Sequence, residues 1–231
     1  MYGAMGVKII SNLPHLYPMA DRCFVAVDID KPALKGALLR AQGAIVATGA
    51  DVKAVEEENI HITLKFLGEI PEERTARVAE LVRGISFKPF TLEFRGVGVF
   101  PAPSRPSVVW AGVSGEASEM LAVFTELEWG LKALGFEQER RPFQPHVTLC
   151  RVRGGRNRTQ LAEAVKAMED EEFGPLRVEH IRLKKSVLTR SGPIYSTVAE
   201  SSVLGQDGFR VASPRIRGTD PYPAARQDLP L

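Results

Sequence analysis

Cysteines and long apolar runs are scarce in this sequence. Its 231 residues contain two cysteines, Cys23 and Cys150, which lie far apart and have no Cys or His at ligand spacing. A disulfide framework or a zinc site therefore has little basis. No apolar run approaches the length of about 18 residues that a membrane span needs. No basic leader joined to an apolar segment is present, so we expect a cytoplasmic protein without membrane attachment.

A large excess of positive charge is also missing. The formal net charge is +2, and residues 21–200 carry equal numbers of basic and acidic side chains. Binding of nucleic acid through many phosphates is therefore disfavoured. Arginines do cluster locally, with no acidic residue between Glu139 and Glu163. This stretch suits one or a few phosphates, or it is a solvated basic loop. Its members are Arg140, Arg141, Arg151, Arg153, Arg156 and Arg158.

The composition, with 44% hydrophobic and 25% charged residues, is typical of a globular protein. Residues 1–20 show no sustained hydrophobic period and predict a flexible N-terminal extension. Residues 201–231 have no apolar stripe and predict a disordered tail. We therefore expect one functional domain over residues 21–200.

Inside this domain, strand-like and helix-like periods alternate. Four stripes at helical spacing predict helices, and seven strand-like runs predict roughly eight to ten strands. The first stripe follows Pro32, and the last strand-like runs cover residues 176–189 and 194–200. The pattern predicts an α+β fold with helices packed on antiparallel sheet.

The chain also repeats itself. The string HITL at residues 61–64 returns as HVTL at residues 146–149. Each copy precedes a helical stripe, a Phe-x-Pro turn and two further strands, at a nearly constant offset. We infer a pseudo-twofold duplication that forms two lobes, with two antiparallel sheets flanked by helices and a cleft between the lobes.

Each repeat places a histidine and a threonine on the same face of a strand. Side chains alternate along a strand, so His61 shares a face with Thr63, and His146 shares a face with Thr148. One such face alone is typical of the solvated side of a sheet. Two copies that face each other would instead surround one cleft with two imidazoles and two hydroxyls.

This set of groups suits acid and base catalysis on a phosphodiester. An imidazole changes charge near neutral pH, so one can accept a proton while the other donates one. The threonine hydroxyls can donate hydrogen bonds to phosphate oxygens. Metal binding is the rival role for the histidines, but no carboxylate lies at ligand spacing beside them. We expect no metal and no other cofactor.

The residues around both motifs resemble a known family. NIHITLKFLGE (residues 59–69) and FQPHVTLCR (residues 143–151) closely resemble the two HxTx motifs of the two-histidine phosphoesterases. The most similar branch is the RNA 2',3'-cyclic phosphodiesterases, also called 2'-5' RNA ligases. The resemblance covers about residues 22–200.

The resemblance implies a bilobal fold and metal-independent hydrolysis of RNA 2',3'-cyclic phosphate ends to 2'-phosphates. By likeness to the family, His61 is the proton donor and His146 the proton acceptor, while Thr63 and Thr148 hold the phosphate. Reverse 2'-5' ligation is implied as a minor activity. The residues alone do not rank the two histidines, because the repeat is nearly symmetric.

Other side chains near the motifs are weaker candidates. Lys65 is expected on the same face of the strand as His61. It therefore either reaches the phosphate or is a lysine exposed to solvent at the end of the strand. Arg151 is out of phase with His146 and would need a β-bulge to bind substrate. Cys150 is expected to be inert packing, and Phe66 and Phe143 to pack in the core rather than stack on a base.

The expected partners are RNA ends, or small nucleotides, that carry a cyclic phosphate, and the protein is expected to be a monomer. Two alternatives stay open at this point. The same chemistry could act on a small molecule such as a cyclic phosphate of ADP-ribose. The fold could also serve as a non-catalytic RNA-binding module, although a pure binder does not need two symmetric imidazoles.

Overall fold

A computed structural model describes residues 20–115, 117–190 and 192–204. Most of the predicted N-terminal extension and C-terminal tail lies outside the described residues. The fold continues past residue 200, however. Ser201 is buried and its hydroxyl accepts a hydrogen bond from the Ile181 amide at 2.9 Å.

The described chain forms four α-helices and eleven strands. The helices are α1 (Pro32–Ala47), α2 (Glu72–Gly84), α3 (Ala117–Ala133) and α4 (Arg158–Ala167), with a 3-10 turn at Glu57–Asn59. The first six strands are β1 (Ala20–Asp28), β2 (Val52–Ala54), β3 (His61–Pro71), β4 (Ser86–Phe87), β5 (Phe90–Phe100) and β6 (Val108–Gly115). The remaining strands are β7 (His146–Val152), β8 (Glu172–Val178), β9 (Arg182–Leu188), β10 (Pro193–Glu200) and β11 (Ser202–Val203).

Nine of the strands form one antiparallel sheet. Its order is β10-β9-β1-β3-β7-β6-β5-β8, and β2 adds to the β3 side of β7. The short strands β4 and β11 pair in parallel. The predicted α+β class is confirmed. The structure differs from the two separate sheets expected, because β3 and β7 pair at Ile62 and Val147 and so join both halves. The pseudo-twofold duplication stays a prediction.

The strands that follow each motif pair with the opposite half of the sheet. The β5–β6 hairpin follows the first motif, yet β6 pairs with β7 of the second. The β9–β10 hairpin follows the second motif, yet β9 pairs with β1, next to the first. The run at residues 176–189 is thus divided between β8 and β9, which lie at opposite sides of the sheet. Each half therefore contains strands from both repeats.

One hydrophobic core packs the four helices against one face of this sheet. Helix α1 begins at Pro32, which is favoured in a first turn, and buries Leu34, Leu38 and Ile45. These side chains join Val25, Ile62 and Val147 in a single cluster of buried residues. The opposite face of the central strands is consequently left open for polar side chains. None of the described helices is both long and apolar enough to cross a membrane.

A glycine pair shapes the open face beside the second motif. Trp110 lies opposite Gly98 on the neighbouring strand, and a Cβ at Gly98 would collide with the indole ring. Gly112, two residues further along β6, lies opposite His146. The indole can therefore lie across Gly98 and approach His146, with ring centroids 6.3 Å apart.

Candidate active site

The two histidine motifs meet at the centre of the sheet. Ile62 and Val147 are antiparallel partners, and both are fully buried against the helices. The residues on either side of each therefore face away from the core. Because antiparallel strands run in opposite directions, this register sets His61 beside Thr148 and His146 beside Thr63. The structure thus brings together the four residues that the repeat singled out.

The backbone and the first threonine orient the His61 ring. Nδ1 lies 2.7 Å from the Asn59 carbonyl oxygen, which can only accept, so Nδ1 carries a proton and donates it. Nε2 lies 2.9 Å from Thr63 Oγ1. The rings of Phe24 and Tyr195 lie 4.9 and 5.7 Å away between centroids. Nε2 is consequently the nitrogen that exchanges protons at this end of the site.

Burial lowers the pKa of His61 below its ordinary value. The hydrogen bond to Asn59 and the charge of Asp28 act in the opposite direction, while Lys184 and His146 lower the pKa further. Asp28 is the cross-strand partner of His61 and accepts a hydrogen bond from Lys184 Nζ at 2.8 Å. The empty site therefore favours the neutral imidazole, because burial penalises the charged ring.

His146 repeats this arrangement at the other end. Its Nδ1 donates to the Gln144 carbonyl at 2.7 Å, again two residues before the histidine. The Phe100 ring packs edge-on at 5.0 Å. No residue in the described part of the chain forms a hydrogen bond to its Nε2. Both histidines therefore hold the same tautomer and present Nε2 to the open face.

A β-bulge in β3 corrects the prediction for Lys65. Thr63 pairs with Ala26 and Lys65 pairs with Val25, so Leu64 is an extra residue between them. This shift reverses the parity after Thr63, and it places Lys65 on the helix face with the buried Val25. Lys65 therefore does not share a face with His61.

Lys65 is instead tied to the core side of the protein. Its ammonium lies 2.8 Å from Glu128 Oε1 on α3, without the geometry of a hydrogen bond, so the contact is a charge pair. It also donates to the Glu137 carbonyl at 2.9 Å. Both charged side chains are largely buried, with 11% of Lys65 and 3% of Glu128 exposed.

A second bulge, at Leu149 in β7, brings Arg151 to the histidine face. Trp110 pairs with Thr148, and the next partners are Val109 and Cys150, so Leu149 is the extra residue. Arg151 is consequently in phase with Thr148. The sequence predicted that Arg151 would need such a bulge to bind substrate. Burial raises the pKa of Tyr195, and the charge of Arg151 offsets part of this rise. Arg151 is thus near the ring that contacts His61.

The same two bulges decide which face of the sheet Cys150 and Phe66 occupy. Cys150 pairs with the buried Val109 on the helix face, and burial raises the pKa of its thiol to about 12, as expected for inert packing. Phe66 was expected in the core, but it pairs with Phe24 on the histidine face and is 62% exposed. Phe143 stacks on Phe124 at 4.2 Å.

Several groups that shape the site were not identified from the sequence. The carbonyls of Asn59 and Gln144 orient the imidazoles, but a backbone group leaves no signature in side-chain patterns. The rings of Phe24, Phe100 and Trp110 come from strands distant in sequence. Of the two other histidines, His180 bonds to the Ser201 carbonyl and His15 lies outside the described residues.

An open cavity of about 510 Å³ adjoins His146. Phe100, Trp110, Phe143 and Pro145 give it an apolar wall. Arg95 at its edge is paired with Asp170 at 3.2 Å. Among the described residues, no group of three or more His, Cys, Asp and Glu side chains is placed to hold a metal ion.

Sequence comparison assigns the chain to a family. The family model described as "LigT like Phosphoesterase" matches residues 27–110 and 112–195, with one histidine motif in each stretch. The chain belongs to the LigT-like phosphoesterase family. Two similar relatives of this phosphoesterase are named RNA 2',3'-cyclic phosphodiesterase. The Aeropyrum pernix protein is 47% identical over 71% of this chain and 94% of its own length. The Archaeoglobus fulgidus protein is 42% identical over 75% of this chain and 96% of its own length.

Solved structures agree with the fold of this LigT-like phosphoesterase. The Thermus thermophilus protein TT0787 is 29% identical and superposes with a TM-score of 0.64, covering 78% of this chain and 96% of its own. LigT of Escherichia coli in its apo form is 23% identical, with a TM-score of 0.65, and covers 81% of this chain and 99% of its own. The second likeness supports the fold only.

Proposed function

We propose that this LigT-like phosphoesterase hydrolyses the 2',3'-cyclic phosphate at RNA 3' ends and leaves a terminal 2'-phosphate. The relatives named RNA 2',3'-cyclic phosphodiesterase support the reaction. The observation that carries the proposal is the pairing of Ile62 with Val147. This pairing sets two imidazoles, each with Nδ1 bound to a carbonyl, at opposite ends of one polar site.

His146 is the base and His61 the acid in this proposal. His146 Nε2 accepts a proton from water as the water oxygen attacks phosphorus. The bond from phosphorus to O3' breaks on the opposite side, and His61 Nε2 donates a proton to O3'. Entering and departing oxygens lie roughly in line in such displacements, which is why the two groups must stand at opposite ends. Exchange with solvent then restores both protonation states.

The low pKa of His61 sets a condition for this role. A donor must hold its proton, yet the empty site favours neutral His61. A phosphodiester anion beside the ring favours the charged imidazole, because an opposite charge at close range raises the pKa of a histidine. Substrate binding and protonation of His61 are therefore coupled, and each promotes the other.

Thr63, Thr148 and Arg151 hold the phosphate in this scheme. The two hydroxyls flank the histidines on the same face, and each can donate to a non-bridging oxygen. Arg151 follows Thr148 through the bulge at Leu149 and supplies a cation at the His61 end of the site. These donors stabilise the negative charge that develops on the phosphoryl oxygens in the transition state.

The reaction is proposed to need no metal, since two imidazoles supply both proton transfers. Minor 2'-5' ligation would be the same chemistry reversed, with an RNA 5'-hydroxyl in place of water. We further propose that the enzyme acts as a monomer in the cytoplasm, where the two free, buried thiols of Cys23 and Cys150 would remain reduced.

The test is hydrolysis of a short RNA ending in a 2',3'-cyclic phosphate, with and without EDTA. We expect a 2'-phosphate product and an unchanged rate in EDTA. His61→Ala and His146→Ala should each lower the rate by roughly 10² to 10⁴-fold without loss of folding. A 3'-phosphate product would reverse the substrate pose, and a chelated enzyme that is restored by a divalent ion would refute the metal-free mechanism.

A further inference from the structure

Arg151 near the end of β7 and Arg153 just after that end form a row that leads away from the phosphate site. Val152 packs on the core and pairs with Val52, so Arg151 and Arg153 both project from the opposite face. Residues two apart on a strand are separated by roughly 6.6 Å. This separation is close to that of successive phosphates along an extended single strand. The backbone pairing continues through Arg153, whose amide donates to the Asp51 carbonyl at 2.7 Å.

A third arginine lies in the β5–β6 loop, which contacts the end of β7. The Val152 amide donates to the Ser107 carbonyl at 2.9 Å, which fixes the loop beside the end of β7. Arg105 lies in the same loop, and its amide closes a turn onto Ala102 at 3.0 Å. Arg105, like Arg153, is exposed.

Neither guanidinium is neutralised within the part of the chain that the structure describes. No carboxylate there lies within ion-pair distance of Arg105 or Arg153, whereas Arg177 and Arg182 do pair with acidic residues. The nearby Asp51 carboxylate occupies the space that a side chain at Gly154 would fill. Asp51 nevertheless forms no ion pair with either arginine, so both guanidinium groups remain available to an anionic ligand.

The proposed mechanism sets the direction in which an RNA chain leaves the site. The bond from phosphorus to O3' breaks, while O2' keeps the phosphate on the same ribose. Because O3' must face the acid, the terminal ribose lies on the side of His61. The register places Thr148 beside His61, and Arg151 and then Arg153 continue outward from there. The chain 5' to the cyclic phosphate would therefore pass over this end of β7.

We propose that Arg153, with Arg105, binds the phosphate immediately upstream of the cyclic phosphate. This inference rests on the proposed function and identifies the substrate class as an RNA chain rather than a mononucleotide. Many proteins bind single-stranded nucleic acid in basic grooves that track its backbone and do not recognise the base sequence. The site would therefore accept any base at the terminal position while favouring an oligonucleotide.

The experiment compares Arg153→Gln with the wild-type enzyme on two substrates, a mononucleotide 2',3'-cyclic phosphate and a short RNA with the same end. At low salt we expect kcat/KM for the RNA to fall about 5- to 10-fold. The mononucleotide has no upstream phosphate, so its kcat/KM should change less than about 2-fold. The salt dependence of kcat/KM for the RNA should weaken by about 0.7 in logarithmic slope, the effect of one lost phosphate contact.

Arg40→Gln is the matched control, because Arg40 is an exposed arginine on α1, behind the sheet. It should leave both substrates unchanged. Equal losses on both substrates in Arg153→Gln, or no loss on either, would overturn the inference while leaving the proposed function intact. A loss confined to RNA in Arg140→Gln instead would show that the strand leaves by the opposite end. Failure of the wild-type enzyme on both substrates would refute the proposed function itself.

Discussion

The buried pair of Lys65 and Glu128 provides a direct test of the bulge in β3. Lys65→Met removes the ammonium but keeps a side chain of similar length. Glu128 is then left 3% exposed, with the Glu139 amide at 2.8 Å as a remaining hydrogen-bond donor. Removal of one partner from a buried ion pair leaves an uncompensated charge, which costs about 3 to 5 kcal/mol.

The size of this loss of stability shows whether Lys65 lies on the helix face or on the histidine face of β3. A loss of about 3 kcal/mol corresponds to a fall in Tm of roughly 6 to 12 °C for a domain of this size. A solvated lysine on the histidine face would change the free energy of unfolding by only about 0.5 kcal/mol or less. Replacing both partners, as Lys65→Met with Glu128→Leu, should recover most of the loss, because an apolar pair no longer buries a lone charge.

Urea unfolding and kcat/KM should be measured on the same variants. Lys53→Met is the matched control, since Lys53 also pairs with a glutamate, Glu56, at 3.4 Å but is 39% exposed. Its loss of stability should be below about 1 kcal/mol. If Lys65→Met instead kept full stability and raised KM strongly, Lys65 would contact the phosphate and the face assignment would be refuted.

Two further predictions concern Ile62, where the two halves of the sheet join, and Arg151, the proposed phosphate contact. Ile62→Ala should lower the free energy of unfolding in urea by about 2 to 5 kcal/mol, because it empties a fully buried position where the two halves join; a loss below about 1 kcal/mol would contradict that packing. Arg151→Gln should lower kcat/KM by about 10- to 100-fold and leave stability within about 0.5 kcal/mol, since the side chain is exposed. An unchanged rate would remove Arg151 from the phosphate site.

The sequence was informative where short-range periodicity decides the structure. Alternation correctly placed Ile62 and Val147 toward the core, and so placed the histidines on the other face. The four helices were predicted because each needs an apolar stripe at helical spacing. The repeat also predicted that the two histidine strands contribute to one site, although not that they pair in one sheet.

Periodicity was insufficient where one extra residue changes the parity of a strand. The bulges at Leu64 and Leu149 have no distinct composition, so Lys65 was assigned to the wrong face and Phe66 to the core. The sequence shows that Arg151 needs a bulge to reach the histidine face, but it does not show that the bulge is present. Register shifts of this kind depend on the partner strand, which local sequence does not specify.

Long-range strand pairing was also beyond the sequence. The pattern predicted two further strands after each motif, but not that the hairpins β5–β6 and β9–β10 each pair with the opposite half of the sheet. The single run at residues 176–189 hides two strands on opposite sides of the sheet. Such pairing is decided by the global packing of the core and not by local propensity.

The pH dependence of kcat/KM in His146→Ala tests the central claim most directly. Without the base, the remaining limb reports the acid, His61, which works only when protonated. The rate should therefore be flat at low pH and fall as pH rises. The midpoint should lie below the ordinary histidine value of 6.5, because burial lowers the pKa of His61. A residual rate that rises with pH would mean that His61 is the base, and it would contradict the assignment of acid and base.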